Sequence, residues 1–207
     1  MGIYGKYFLP RLVHLTCGGA PLMKQRKKVV PMAEGLVLEI GIGSGLNIPF
    51  YSSDRVRRLW GLDPSRELWA MAEKSVETAG FDVQFIQGSA EKIPLDDASM
   101  DTILVTYALC TIPNILPALG EMRRVLKPRG KLIFCEHGSA PDQGVLRWQK
   151  RINPLWKMVS GGCHLDRPIP SLIERSGFRI EMIESMYIPG WKPASFNYWG
   201  SATPSPP

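Results

Sequence analysis

From residue 36 onward, short apolar runs alternate with stretches whose apolar residues recur every three to four positions. A strand buried on both faces needs a continuous apolar run, whereas a crossover helix needs only one apolar stripe, so the alternation predicts parallel β–α–β units. The expected strands are Leu36–Ile40, Arg58–Leu62, Val83–Gln87, Thr102–Thr106 and Lys131–Glu136. Ser65–Ala79 reads as a helix, with Leu68, Met71, Ala72, Val76 and Ala79 on one face, Ser65 and Glu67 at its start and Gly80 at its stop. Ile115–Leu126 reads the same way, entered after Pro113-Asn114 and closed before Pro128. A long helix over Gly144–Val159 and a short one over Ser171–Ser176 follow. The closing runs Phe178–Tyr187 and Ser195–Ala202 alternate polar with apolar residues, as an antiparallel edge hairpin does. The fold class expected is α/β: a doubly wound, Rossmann-like, seven-stranded sheet, mostly parallel, ending in an antiparallel hairpin. Residues 1–34 are expected to form a helical cap, 35–202 one domain, and 203–207 a disordered tail rich in proline.

Length and composition narrow the picture without changing it. The 207 residues suffice for one domain with a substantial core. No apolar run approaches the roughly 20 residues that span a bilayer, and the first ten residues lack a secretory h-region, so a cytoplasmic protein is expected. Cys17, Cys110, Cys135 and Cys163 are scattered with no C-x-x-C pair. Each histidine stands near a cysteine in sequence, yet ligand pairs at metal-site spacing are absent, and no metal is expected. The net charge of +6 favours an acidic partner. Nucleic acid is not expected, because no recognised binding module appears. The run Lys24-Gln25-Arg26-Lys27-Lys28 beside an apolar stretch leaves two readings open, a solvated helix face and a peripheral contact with an anionic membrane surface.

The chemistry concentrates at the end of the first strand, in Glu39-Ile40-Gly41-Ile42-Gly43-Ser44-Gly45. Glycines let backbone approach a ligand closely, and many folds use such a turn. A dinucleotide fingerprint G-x-G-x-x-G would place its third glycine at residue 46, which is Leu46, and no Gly-Lys-Ser/Thr follows for a P-loop. About twenty residues on, Asp63 in Gly61-Leu62-Asp63-Pro64-Ser65 stands where a carboxylate can receive ribose hydroxyls. It could instead cap the following helix, but Ser65 is available for that.

The glycines at 41, 43 and 45 behind Glu39, together with Gln87-Gly88-Ser89-Ala90-Glu91, Ser99–Tyr107 and Arg124–Lys131, make the stretch 36–137 resemble the class I S-adenosylmethionine-dependent methyltransferases. Similar families are the ubiquinone-biosynthesis C-methyltransferases, bacterial phospholipid N-methyltransferases and animal alkyl thiol methyltransferases. The last share Ala108-Leu109-Cys110, Asn153-Pro154-Leu155-Trp156 and Gly162-Cys163-His164-Leu165, and the bacterial enzymes share Asn47-Ile48-Pro49-Phe50-Tyr51. The resemblance implies S-adenosylmethionine as cofactor, converted to S-adenosylhomocysteine. Gly41, Gly43, Gly45 and Asn47 would hold its methionine end with Glu39 balancing the ammonium group, Asp63 and Pro64 the ribose, and Ser89, Ala90 and Glu91 the adenine. Ser89 replaces the family's usual aspartate. Thr106 and Tyr107 would line the transfer cleft, and Tyr7 would fold over the cofactor with Tyr4. His137, ending the fifth strand, is the candidate for positioning or deprotonating a small-molecule acceptor, with Tyr107 beside it. The loop holding Cys163, His164 and Asp166 could close over that acceptor, a lipophilic thiol or a lipid amine. A nucleotide-dependent oxidoreductase and a noncatalytic binding module remain as alternatives.

Overall fold

The computed structural model describes residues 9–206. Seven strands form one sheet in the order β3-β2-β1-β4-β5-β7-β6. The strands are β1 (Gly35–Ile40), β2 (Val56–Asp63), β3 (Asp82–Gln87), β4 (Met100–Thr106), β5 (Leu126–His137), β6 (Phe178–Tyr187) and β7 (Phe196–Pro204). The first five run parallel, and β7 enters antiparallel between β5 and β6. This is the class I methyltransferase architecture.

The pleat divides the apolar residues between two layers, as a period of two requires. Leu38, Ile40, Ile103, Val105, Leu132 and Phe134 pack against α5 (Ile115–Val125) and α7 (Ile169–Arg175) through Leu119, Met122 and Ile173. Val37, Leu59, Leu104, Ile133 and Trp199 face the other way, against Val29, Val30 and Ala72. Val29 closes α2 (Ala20–Val29), which follows α1 (Leu9–Cys17).

The chain departs from the sequence pattern in three places. The expected helix Ser65–Ala79 is two short ones, α3 (Arg66–Trp69) and α4 (Glu73–Glu77). Between them the backbone tightens, Ala72 N bonding to Trp69 O, and the buried Ala72 sits against Gly45 so closely that a Cβ there would lie 2.8 Å from its methyl. Leu126 leaves α5 for β5, where it pairs with Met100. The tail expected to be disordered contributes Thr203 and Pro204 to β7, paired with Arg179 and Phe178, and Ser205 N reaches Gly177 O. Backbone pairing with β6 supplies the order that composition alone does not.

The sheet reverses its winding between β1 and β4, so a crevice opens at their C-terminal ends, the place where open α/β sheets bind ligands. Glu39 near the end of β1 and Thr106 at the end of β4 stand at that crevice.

Candidate active site

The turn after β1 depends on its glycines for two different reasons. Gly41, Gly43 and Gly45 all have positive φ (69°, 52° and 71°), which other residues rarely adopt. At Gly41 and Gly45 there is also no room: a Cβ would lie 2.6 Å from the Ala108 methyl and 2.8 Å from that of Ala72. Gly43 is different: a Cβ there would meet Asp63 Oδ2, Gly41 O and a Leu68 methyl at an ordinary 3.9 Å, so its positive φ alone calls for glycine. Its N–H donates to Asp63 Oδ2 at 3.0 Å, and Asp63 Oδ1 accepts from Ser65 N at 2.8 Å. Ser65 does cap α3, receiving Leu68 N, but Asp63 is not left idle by that. Burial raises the Asp63 pKa against the pull of these two amides. Each carboxylate oxygen keeps a second lone pair for a hydroxyl donor.

Behind the turn lies a buried polar network. Glu39 is 1% exposed; its Oε1 accepts from Asn47 Nδ2 at 2.8 Å and its Oε2 from Tyr51 OH at 2.7 Å. Burial pushes its pKa up to about 7, opposed by those hydrogen bonds and by the charge of Arg26. Arg26, on α2, donates to Asn47 Oδ1 at 2.9 Å and to Thr106 Oγ1 at 2.6 Å, and Asn47 also donates to Thr106. The fold thus brings Glu39, Asn47 and Thr106 together, and adds Arg26 and Tyr51. Arg26 is only 5% exposed, which overturns the reading of Lys24–Lys28 as one solvated face. The spacing of Arg26, Val29 and Val30, one helical face, was the available signal. Its flanking lysines pack over aromatic rings, Lys27 over Phe50 and Lys28 over Trp199. A further cap contact places His14 Nδ1 2.7 Å from Ser44 Oγ, so α1 rests on the glycine turn.

The residues expected at the adenine and ribose edge stand apart from this network. Pro64 is exposed and its carbonyl accepts from Gln87 Nε2. Ser89 is exposed and turns its hydroxyl onto Glu91 N; Ala90 is buried. The Glu91 carboxylate is engaged by Asn114 N at the start of α5. Tyr7 lies outside the described residues, as does Tyr4.

A second polar cluster is built at the ends of β4 and β5. Tyr107 holds a left-handed backbone at φ 54°, a strained state for a bulky residue. Its hydroxyl donates to Asn197 Oδ1 at 2.7 Å, and the Arg26 guanidinium lies 5.1 Å from its ring centre. Glu136, fully buried, receives Ala108 N and Leu109 N on Oε1 and so fixes the turn that carries Cys110. Arg167 closes the same turn by donating to Leu109 O. His137 Nε2 meets Cys163 Sγ at 3.1 Å. Burial disfavours the His137 imidazolium, but the Cys163 sulfur outweighs that and raises its pKa. Hydrogen bonding from Cys110, against burial and with help from His137, brings the Cys163 thiol down to about 4. Although their spacing in sequence gave no metal motif, Cys110, His137 and Cys163 converge, their ligand atoms all within 4.8 Å of one another.

Five buried side-chain polar atoms lack a partner among the described residues: Gln25 Oε1, Arg26 Nε, Glu136 Oε2, His137 Nδ1 and Trp156 Nε1. Orphaned buried atoms are rare and costly, of order 1–3 kcal/mol each. They lie on α2, at the end of β5 and on α6 (Gln143–Val159). These unpaired donors and acceptors fit a site completed by a polar ligand.

Residues 38–134 match the family model described as a methyltransferase domain. The thiol S-methyltransferase TMT1B of Rattus norvegicus is 34% identical over 169 residues, covering 80% of this chain and 66% of that protein. The TMT1B of Homo sapiens is 32% identical, covering 80% and 69%. The chain thus spans about two thirds of the length of these curated relatives. A phosphatidylethanolamine N-methyltransferase of Cereibacter sphaeroides is 33% identical over 54% of this chain and 55% of its own. Among solved structures, the YcgJ protein of Bacillus subtilis superposes with a TM-score of 0.69 at 19% identity, covering 90% of this chain and 99% of that one.

Proposed function

This chain belongs to the class I S-adenosylmethionine-dependent methyltransferases, and from that premise we propose that it methylates the sulfur of a small lipophilic thiol. The observation that carries the cofactor half is the Asp63–Gly43 contact across the glycine turn. The acceptor half is supported by relatives named as thiol S-methyltransferases that match four fifths of the chain, against about half for the lipid amine enzyme. S-adenosylmethionine supplies an electrophilic methyl group on a sulfonium, so the chain's task is alignment of an in-line displacement. Gly41–Gly45 and Glu39, through Asn47, position the methionine end; Asp63 with Pro64 receives the ribose; Ser89, Ala90 and Glu91 border the adenine. Tyr107 and His137 border the acceptor, and a thiol of ordinary pKa near 8.5 asks little of a base.

A lipophilic acceptor partitions into membranes, and α6 offers a face for that encounter. Trp148, Leu155 and Met158 on it are 60%, 68% and 79% exposed, and Trp191 beside it is 53% exposed. Arg147, Lys150, Arg151 and Lys157 share the helix, which has no acidic residue. An apolar and basic surface of this kind suits an anionic bilayer, and we place the peripheral contact here, not at Lys24–Lys28. Among the described residues no helix is long and apolar enough to cross a membrane.

Calorimetry with S-adenosylhomocysteine and with NADH tests the cofactor: binding near the micromolar range to the former only is expected, and preference for NADH would overturn the reading. Asp63→Ala should weaken that binding by about 1–3 kcal/mol, the cost of unpaired ribose hydroxyls. Labelled S-adenosylmethionine offered with thiols, ethanolamine phospholipids and quinols tests the acceptor. Label is expected in the thioethers. Label in the phospholipids instead would move the assignment to a lipid amine, and none in any acceptor would favour a noncatalytic binding module.

A further inference from the structure

Cys110, His137 and Cys163 come from three separate segments, and backbone contacts hold each segment in place. Cys110 rides on the turn fixed by Glu136 and Arg167. His137 is the last residue of β5, paired with Asn197 of β7. Cys163 follows two left-handed glycines, Gly161 at φ 68° and Gly162 at φ 93°, which turn the chain back from α6 toward β4. That return is pinned on both sides. His164 N and Nδ1 both lie on Cys110 O, at 2.9 and 3.0 Å, while buried Asn153 receives Leu165 N and donates to Asp166. The loop therefore holds Cys163 against Cys110 by backbone geometry, independently of anything the sulfurs do.

We propose that these three side chains form a binding site for a thiophilic divalent cation, Zn²⁺, with the fourth position open to the acceptor thiol. This deepens, and rests on, the thiol S-methyltransferase reading. Two thiolates and an imidazole are the donors zinc selects, and three protein ligands with one vacancy is the arrangement of catalytic rather than structural sites. Tetrahedral bonds of about 2.3 Å to sulfur and 2.0–2.1 Å to nitrogen put ligand atoms about 3.6–3.8 Å apart. The three donor atoms already lie within 4.8 Å of one another, with His137 Nε2 and Cys163 Sγ at 3.1 Å, so small side-chain rotations complete the geometry. The site stands at the C-terminal ends of β4 and β5, on the same edge of the sheet as Thr106 and Asp63. His137 Nδ1, buried without a partner among the described residues, leaves the far side of the ring for a group on the bound acceptor.

In the step this implies, the acceptor's S–H bond breaks as its sulfur joins the cation, and the proton leaves to solvent. A lone pair of that sulfur forms the new S–CH₃ bond while the methyl–sulfonium bond breaks, its pair remaining on the donor's sulfur. The neutral thioether is a poorer ligand than a thiolate and departs.

Anaerobic titration of chelator-treated, reduced full-length protein with Co²⁺ reads the site directly, because cobalt bound to thiolates in a tetrahedral site absorbs strongly in the red and near ultraviolet. One equivalent is expected, displaced by Zn²⁺. Cys110→Ser and Cys163→Ser should each weaken it at least about tenfold, while Cys17→Ser leaves it unchanged. His137→Gln serves as the further variant if a serine variant loses its circular dichroism. Adding an acceptor thiol should shift the near-ultraviolet band. Absence of bands, or bands indifferent to all three ligand variants, would overturn the site; a band unmoved by thiol would overturn the open position. Measuring labelled methyl transfer on the same samples separates the two readings: transfer without cobalt binding sinks the site alone, and cobalt binding without transfer sinks the enzyme reading alone.

Discussion

Glu39 illustrates how one buried residue carries both packing and charge. It is enclosed by Asn47 and Tyr51, and burial lifts its pKa to about 7, well above the value near 4.5 it has in an unfolded chain. The folded protein therefore keeps a proton that the unfolded chain releases. Its contribution is fully present below pH 4.5, declines as pH rises, and is lost once the folded carboxyl ionises near pH 7. Glu39→Gln keeps the shape and cannot titrate. Relative to wild type, the ligand-free variant should gain about 3 kcal/mol in unfolding free energy between pH 4.5 and 8, measured by urea denaturation. A constant difference across that range would show that Glu39 is already ionised in the folded chain. The residue was legible as part of a site because an acid precedes the glycines. Its protonation was not, since Tyr51 and Arg26 reach it only in three dimensions.

At the scale of elements, a buried arginine supplies the polar tie between cap and sheet. Arg26→Met keeps the apolar stem and removes the hydrogen bonds to Asn47 and Thr106. It should weaken S-adenosylhomocysteine binding by about 1–3 kcal/mol and speed amide exchange in α2, while exchange in β1 and β4 stays slow. Uniform destabilisation of the whole molecule would show instead that cap and sheet unfold as one unit. The central strands β1 and β4 were legible nearly to their ends because burial on both faces writes a continuous apolar run, whereas β5 begins five residues before the expected Lys131. The break at Ala70–Ala72 was not, because its apolar positions fit a helix and only the closeness of Gly45 forces the turn. Likewise Arg26 was read with its charged neighbours, since a basic run looks alike whether it faces solvent or a carboxylate.

For the whole molecule, the net charge of +6 becomes informative once it is placed. With Arg26 internal and Lys27 and Lys28 over aromatic rings, α6 offers a free basic surface beside exposed apolar groups. The protein should co-sediment with phosphatidylglycerol vesicles at low salt, less at high salt, and hardly with phosphatidylcholine. Trp148→Glu with Leu155→Glu should abolish it while cofactor binding persists. The Cys110–His137–Cys163 cluster belongs to this scale too: its members are 27 and 26 positions apart, and only the return of the chain after α6 unites them, so no local spacing could announce it.

The contact between Lys28 and Trp199 has a consequence in time. A ribosome makes the cap helices first, yet one of their partners lies on the last strand, 171 residues later. At about 5–20 residues per second the cap waits on the order of ten seconds or longer for it. Docking of the cap helices on the sheet is therefore completed only after β7 has been made.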